Sequence, residues 1–427
     1  MQIILFFLMK KVFASIITIG DELLIGQVID TNSAWLAQQL NSIGITVKHR
    51  TAVGDVWEDI WDALDEESKF ADIILITGGL GPTADDITKP LLCKYFNGKM
   101  VMHQPTLEHV TYLMEKVFHR PMPMLERNIK QAEVPDVCTV LFNENGTAPG
   151  MLFEKNAKIF ISMPGVPHEM KYIFSAHVIA IIQQKFQTGF IEHRTLLTAG
   201  VGESYLAERI KNYEQQIPPS IKLAYLPNYG MVRLRLTDFG FDKNFLHNEI
   251  TQQFYLLKKE VEEFLVVDED IPLEEVLGKL LLSKNKTIAT AESCTGGYIA
   301  SLITSIAGAS NYFKGSVISY DNDIKKRILN VDNETLQTVG AVSEETVIQM
   351  AEHVASIMQT DYAISVSGIM GPGGGTNEKP VGTVWMAVAG KTKIVTKKLN
   401  FRFDRARNIQ LTATNALLAA IQFIKEN

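Results

Sequence analysis

The chain has 427 residues, 46% of them apolar and 21% charged, with 29 Gly, 15 Pro and a formal net charge of −7. At roughly 150 residues per domain this is two or three domains, and the composition excludes a disordered or repeat-built chain. The acidic balance excludes an overall positive field for holding DNA, and three widely spaced cysteines, Cys93, Cys138 and Cys294, exclude a disulfide framework or a CxxC metal knuckle and indicate a reducing cytoplasm.

The apolar start, Met1 to Met9, is too short to span a bilayer and has neither a basic leader nor a small-residue cleavage site. Residues 1–8 are read as an over-extended start of translation and no membrane contact is expected. Val12 to Ile19 is strand-like and runs into Gly20-Asp21-Glu22-Leu23; Thr31-Asn32 then caps a helix from Ser33 to Leu40. Extended Ile45 to Val53, a helix over Val56 to Ser68 and a buried-strand run Asp72 to Ile76 follow. Such alternation predicts a doubly wound α/β sheet with ligands at the carboxyl ends of its strands.

The second strand end carries Thr77-Gly78-Gly79-Leu80-Gly81-Pro82-Thr83-Ala84-Asp85-Asp86-Ile87-Thr88-Lys89. Glycine-rich backbone there can offer successive N–H groups to a diphosphate, with Asp85 and Asp86 holding a bridging divalent ion. Equally, the glycines can make a turn and the aspartates complement a helix dipole. No Gly-Lys-Ser/Thr closes a Walker loop, and the GxGxxG spacing is missing. Leu91 to Phe118 and Met124 to Gln131 read as helices, Asn143 to Gly150 as a loop, and Met163 to Met170 as a strand-to-helix turn with Glu169 in the first helical turn.

From Phe174 the pattern changes to a small α+β unit with a long amphipathic stretch, Phe245 to Phe264. It lacks the GXXG backbone clamp of a nucleic-acid binder, and Arg233 and Arg235 alternate on one strand face as on any solvated strand. Asp268 to Pro272 reads as a hinge.

The carboxy-terminal third begins with a helix, Leu273 to Ser283, and then Thr287 to Ile303, a strand, a tight turn (Ala291-Glu292-Ser293-Cys294-Thr295-Gly296-Gly297) and a helix start. Ser293 is the candidate nucleophile, beside helix N-terminal amides suited to a developing negative charge; the plainer alternative is that Ser293 or Thr295 caps the helix. Lys325, five residues past the strand Gly315 to Tyr320, can point back toward Ser293, where desolvation would lower its pKa and make it a base. Helix Ala341 to Met358 and buried strand Asp361 to Val366 lead into Ser367-Gly368-Ile369-Met370-Gly371-Pro372-Gly373-Gly374-Gly375-Thr376, suited to a phosphate. Strand Val381 to Ala389 follows, and Arg405, heading the last helix (Ala406 to Lys425), can pair bidentately with phosphate. Cys294 is a rival nucleophile by thiol chemistry.

Gly20 to Leu23, Thr77 to Lys89, Asn143 to Gly150 and Pro164 to Met170 together resemble the amino-terminal domain of the CinA (competence/damage-inducible protein A) family, itself similar to molybdopterin-binding domains. Leu80 replaces the Thr of the molybdopterin loop. Leu273 onward resembles the CinA carboxy-terminal domain and stand-alone nicotinamide mononucleotide (NMN) deamidases, and the middle resembles a KH-like domain. The resemblance implies domains at 10–173, 174–267 and 268–427, two doubly wound α/β domains flanking the α+β unit. It implies two hydrolytic heads in pyridine-nucleotide salvage. The amino head would hydrolyse ADP-ribose to AMP and ribose 5-phosphate with a divalent metal (Mg, Mn or Co) on Asp21, Asp85 and Asp86, and with Gly78, Gly79, Gly81 and Asn32 on substrate. The carboxy head would need no cofactor: Ser293 attacks the carboxamide, Lys325 with Tyr320 and Ser367 moves protons, and Thr295, Gly296 and Gly297 form the oxyanion hole. Asn322, Arg405, Gly371, Gly373 and Gly374 would bind the nucleotide. Departures from the family pattern are Phe403 and Gln410, where Gly and Arg are usual, and Met370, where Ala is usual. A homodimer is the expected assembly and nucleic acid is not an expected partner; a molybdopterin-binding or adenylyl-transferring amino domain and a non-catalytic adaptor in DNA uptake or repair are the alternatives.

Overall fold

A computed structural model describes residues 10–83, 86–228 and 230–427, so the opening octet and Asp85 lie outside the described residues. One compact unit holds the described chain from Lys10 to His193 with Ile217–Lys222 and Leu236–Phe254, and the other holds Arg194–Gln216, Leu223–Arg235 and Tyr255–Asn427.

The first unit is built on β1 (Phe13–Ile19), β2 (Thr46–Val53) and β3 (Ile73–Thr77), with β4 (Met100–Met102) and β5 (Glu133–Pro135) forming a separate ribbon. β6 (Thr139–Leu141), β7 (Gly150–Lys155) and β8 (Lys158–Met163) complete a six-stranded sheet in the order β2-β1-β3-β8-β7-β6. β2, β1, β3 and β8 are parallel, and the β8-β7-β6 edge is antiparallel. Alternate side chains of the parallel strands enter two cores: Ala14, Ile16, Ile73 and Leu75 on one face, Ile17, Ile19, Ile74 and Ile76 on the other. Both faces are covered, as the near-continuous apolar runs require. The helix expected from Leu91 is interrupted after Tyr95 by Gly98 and β4. The domain end expected at 173 falls inside a helix, because Phe174, Val178 and Ile182 continue its apolar face, fully buried, to Lys185.

The middle segment forms a four-stranded sheet, β10-β11-β9-β12, from β9 (Phe190–Ala199), β10 (Lys222–Asn228), β11 (Met231–Gly240) and β12 (Leu265–Val267). On β11, Leu234 and Leu236 are buried while Arg233 pairs with Asp270 at 3.2 Å.

In the second unit the sheet runs β14-β13-β15-β16-β17, from β13 (Ile288–Glu292), β14 (Phe313–Ile318), β15 (Tyr362–Gly368), β16 (Thr383–Ala389) and β17 (Ile394–Asn400). β14, β13 and β15 are parallel and β16 and β17 antiparallel. β13 and β15 again supply two cores, Ile288, Ile364 and Val366 to one and Ala289, Ala291 and Ala363 to the other. Among the described residues, no helix is long and apolar enough to cross a membrane.

Candidate active site

β13 is the central parallel strand, and its polar exit is flanked by the exits of β14 and β15. Ser293 follows it directly, its amide donating to Val366 O at 3.0 Å. The loop after β14 turns into the helix Asn322–Arg327, whose start is capped by the Asp321 carboxylate accepting from Asp323 N. This returns Lys325 over the strand ends, and Lys325 Nζ donates to Ser293 Oγ at 3.0 Å, Ser319 O at 2.6 Å and Tyr320 O at 3.4 Å. Lys325 is 1% exposed. Burial pushes its pKa below the ordinary 10.5, against the opposing pull of Cys294 and Asp321. A desolvated lysine in hydrogen-bond contact with a serine is an arrangement that can serve as base and nucleophile.

The pair opens into a cavity of about 200 Å³ lined by Ser293, Cys294, Lys325, Tyr320, Asn322, Ser367, Gly368, Met370 and Arg405, together with Ala341 and Val342, which carried no signal in the sequence. Arg405 is exposed at the rim and donates from Nη1 to Gly371 O and from Nη2 to Tyr320 Oη, both at 2.9 Å. Buried Asn408 donates to Met370 O and Phe403 O, fixing the loop and the segment that carry the rim. Phe403 lies under the Arg407 guanidinium, 4.2 Å from the ring centroid.

Several expected roles change. The amides of Gly296, Gly297 and Tyr298 are not available to an oxyanion: Gly296 N donates to Ser293 O, Gly297 N to Glu292 Oε2 and Tyr298 N to Thr295 O. Glu292, missed as a functional residue, fills the start of a helix only seven residues long, Tyr298–Thr304. Of the turn's amides, that of Thr295 has no acceptor among the described residues and that of Cys294 faces its own thiol. Thr295 itself spends its hydroxyl on Glu292 at 2.7 Å. Ser367 Oγ donates to Ala341 O at 2.6 Å, so its proton holds the cavity wall. Tyr320 bonds Arg405 through its hydroxyl and meets Lys325 only through its carbonyl. Gly371 is buried, but Gly373 and Gly374 are exposed and do not line the cavity. Cys294 stands beside Ser293 in the cavity wall, and burial pushes its thiol up to about 12, which disfavours the thiolate a cysteine nucleophile needs.

In the amino-terminal unit the motifs interlock at the strand ends. Thr77 Oγ1 donates to Pro164 O at 2.9 Å, Asn32 Nδ2 to Gly165 O at 2.7 Å, Gln131 Nε2 to Leu80 O at 3.2 Å, and Asn143 Nδ2 to Glu169 at 2.6 Å. Burial raises the Glu169 pKa, opposed by the Asn143 bond. Gly78 has φ +115°, and a Cβ there would meet Ile19 O at 2.2 Å, so only glycine fits. The expected phosphate cradle is largely spoken for: Gly78 N donates to Met163 O and Gly81 N to Asp86 Oδ1. Gly79, at φ +64°, keeps its place in the turn, its carbonyl accepting from Thr88 N. Asp86 also accepts from Thr83 N, closing its own loop, and Asp21 exchanges hydrogen bonds with the main chain and side chain of Asp55. Asp21 and Asp86 thus accept from neighbouring N–H groups, and among the described residues, which leave out Asp85, no three or more His, Cys, Asp or Glu side chains gather as a metal site.

Three family profiles match the chain: CinA C-terminal domain over residues 270–424, Probable molybdopterin binding domain over 15–184, and Damage-inducible protein CinA KH domain over 193–264. The CinA-like protein of Flavobacterium psychrophilum is 46% identical over 415 residues, covering 97% of this chain and 99% of that protein. The CinA-like protein of Dictyoglomus thermophilum is 39% identical over 403 residues, covering 94% and 97%. Among solved structures, the CinA protein of Thermoplasma acidophilum, described as of unknown function, is 30% identical and covers 40% of this chain and 99% of its own, with a TM-score of 0.37.

Proposed function

The chain belongs to the CinA family, and from that premise we propose that its carboxy-terminal domain is a serine amidohydrolase converting NMN and water to nicotinate mononucleotide and ammonia. The observation that carries this reading is the 3.0 Å contact between Lys325 Nζ and Ser293 Oγ, inside a cavity whose rim holds Arg405. Neutral Lys325 takes the Ser293 hydroxyl proton as Oγ attacks the carboxamide carbon. The oxyanion sits on the amides of Cys294 and Thr295. As the C–N bond breaks, Lys325 returns the proton to the leaving nitrogen, giving ammonia and a Ser293 ester, which water hydrolyses with Lys325 again as base. The cavity takes the pyridine ring and its carboxamide, and the phosphate meets Arg405, which exchanges its bond to Tyr320 for the anion. Ammonia release from NMN by the purified protein tests this. Release that persists in Ser293→Ala would refute the assignment.

For the amino-terminal domain we propose hydrolysis of the ADP-ribose diphosphate bond at the interlocked strand ends, with a divalent ion required. Support comes from the convergence of the Thr77–Thr83, Asn143–Gly150 and Pro164–Glu169 segments. Asp21, Asp85 and Asp86 would hold that ion, Asp21 and Asp86 exchanging N–H partners for it. EDTA is expected to abolish ADP-ribose hydrolysis; activity surviving full chelation would remove Asp21, Asp85 and Asp86 from that role. A homodimer is part of the proposal, measured by light scattering.

A further inference from the structure

The chain spends a fully buried carboxylate next to its nucleophile, and nothing in the reaction above uses it. Glu292 is 0% exposed, and among the described residues no lysine or arginine pairs with it. Its charge is met instead by Gly297 N at 3.1 Å, Ile299 N at 3.0 Å, Ala300 N at 2.8 Å, Thr295 Oγ1 at 2.7 Å and Thr290 Oγ1 at 3.3 Å. Capping a seven-residue helix does not explain this, because a Ser or Asp at the N-cap does so near the surface without desolvating a carboxylate. The N-cap position is taken by Gly297, at φ +96° with no side chain to offer, so the cap reaches in from the preceding strand, across the turn that holds Ser293.

Both halves of the nucleophile–base pair are referenced to this one residue. In the main chain, Glu292 is paired with Ile318 and Val366, and its carbonyl accepts from Ser319 N at 2.8 Å. The Ser319 carbonyl in turn receives Lys325 Nζ at 2.6 Å. In the side chain, the carboxylate gathers the Thr295 hydroxyl and the amides of Gly297, Ile299 and Ala300, which closes the turn on the other side of Ser293. Its acceptors absorb amides at the helix start and leave those of Cys294 and Thr295 outside that set.

We infer that Glu292 is a positioning residue, its buried carboxylate fixing the turn so that Ser293 Oγ faces Lys325 and the Cys294 and Thr295 amides face the reacting carbonyl. The kinetic part of the test rests on the amidohydrolase reading, whereas the labelling part does not. Glu292→Gln keeps the size but replaces one acceptor by an NH₂ group facing N–H donors, so at least one backbone amide loses its partner. A turn displaced by about 1 Å is expected to slow attack by roughly 10²-fold.

The experiment is serine-directed labelling with a fluorophosphonate, located at Ser293 by peptide mass, on the full chain as wild type, Glu292→Gln and Thr295→Val. Wild type should label, Glu292→Gln should label roughly 10²-fold more slowly, and Thr295→Val, which removes one donor, should slow by a smaller factor. With NMN, kcat should fall in step while KM and the affinity for nicotinate mononucleotide stay within about threefold, because Arg405 is untouched. Unchanged labelling in Glu292→Gln would overturn the inference, as would loss of product affinity together with kcat, which marks a collapsed site. If Glu292→Gln does not fold, an unslowed Thr295→Val overturns it. A wild type that labels at Ser293 but releases no ammonia from NMN sinks the substrate reading and leaves this inference to the labelling ratio. A wild type that does not label overturns it.

Discussion

Replacing Lys325 with Met keeps the length and apolar stem of a side chain that is 1% exposed and removes its nitrogen, which bonds Ser293 Oγ and the Ser319 and Tyr320 carbonyls. Catalysis should suffer far more than stability. A positioned general base contributes roughly 10²- to 10⁴-fold, about 3–5 kcal/mol of barrier, so kcat for ammonia release should drop by that factor with KM little changed. The fold loses a donor to the Ser319 carbonyl, at about 1–3 kcal/mol, but is also relieved of a desolvated ammonium, which offsets that loss. The pH dependence gives the sharper signature. Burial lowers the Lys325 pKa, so in the window between its folded value and 10.5 the unfolded chain binds a proton that the native chain does not. Wild-type stability should therefore rise with pH across that window relative to Lys325→Met, and the penalty is fully present below the folded pKa. In wild type, kcat/KM should rise through the same folded pKa as the amine is deprotonated, and the Met variant should show no such rise. The assay is a coupled ammonia measurement from pH 6 to 10 beside thermal melts. A Lys325→Met enzyme within threefold of wild type at every pH would refute the reasoning.

Arg405→Ala should raise KM for NMN about 10- to 100-fold by loss of one charge-assisted contact, with kcat nearly intact; a fall in kcat at constant KM would place Arg405 in the chemistry instead. Cys294 should resist iodoacetamide at pH 8, since its thiol is buried and pushed up to about 12, and Cys294→Ala should keep its activity; rapid alkylation that kills activity would reverse the choice of nucleophile. Asp361, although burial opposes it, is held down to about 2 by Lys286 and by the amide and hydroxyl of Thr287. Its stabilisation, about 2 kcal/mol and present above pH 3.8, should be lost as pH falls through 2. Asp361→Asn should lower Tm at pH 7 and flatten that acid limb, and an unchanged acid limb would show the carboxylate to be an ordinary surface group.

The fold was legible because its central strands are apolar on both faces: Ile16 with Ile17, and Ile73 with Ile74, can only lie between two layers. The Ser293–Lys325 contact was legible because a strand, a tight turn and a lysine one turn into the next helix leave few alternatives. Hydrogen-bond traffic at the same strand ends was not. Sequence counts a glycine-rich turn as a supply of free amides, but Gly297 N goes to Glu292 and Gly81 N to Asp86, each through a carboxylate several residues away. The signal for Glu292 was present in the motif, a carboxylate at the end of a strand whose neighbours are all buried, and such a group must find partners. Ala341 and Val342 left no trace, since their place in the cavity wall depends on Ser367, twenty-six residues further on. The strand Ile394–Asn400 escaped because its pairing with β16 on one side alone leaves it half solvated and polar.

The central claim is that Ser293, activated by Lys325, hydrolyses a nucleotide carboxamide. Its most direct test is ammonia released per mole of NMN by the purified wild-type chain beside Ser293→Ala. The account predicts stoichiometric ammonia and nicotinate mononucleotide from wild type and none from Ser293→Ala. Equal release from both, or none from a wild type shown to be folded, would contradict it.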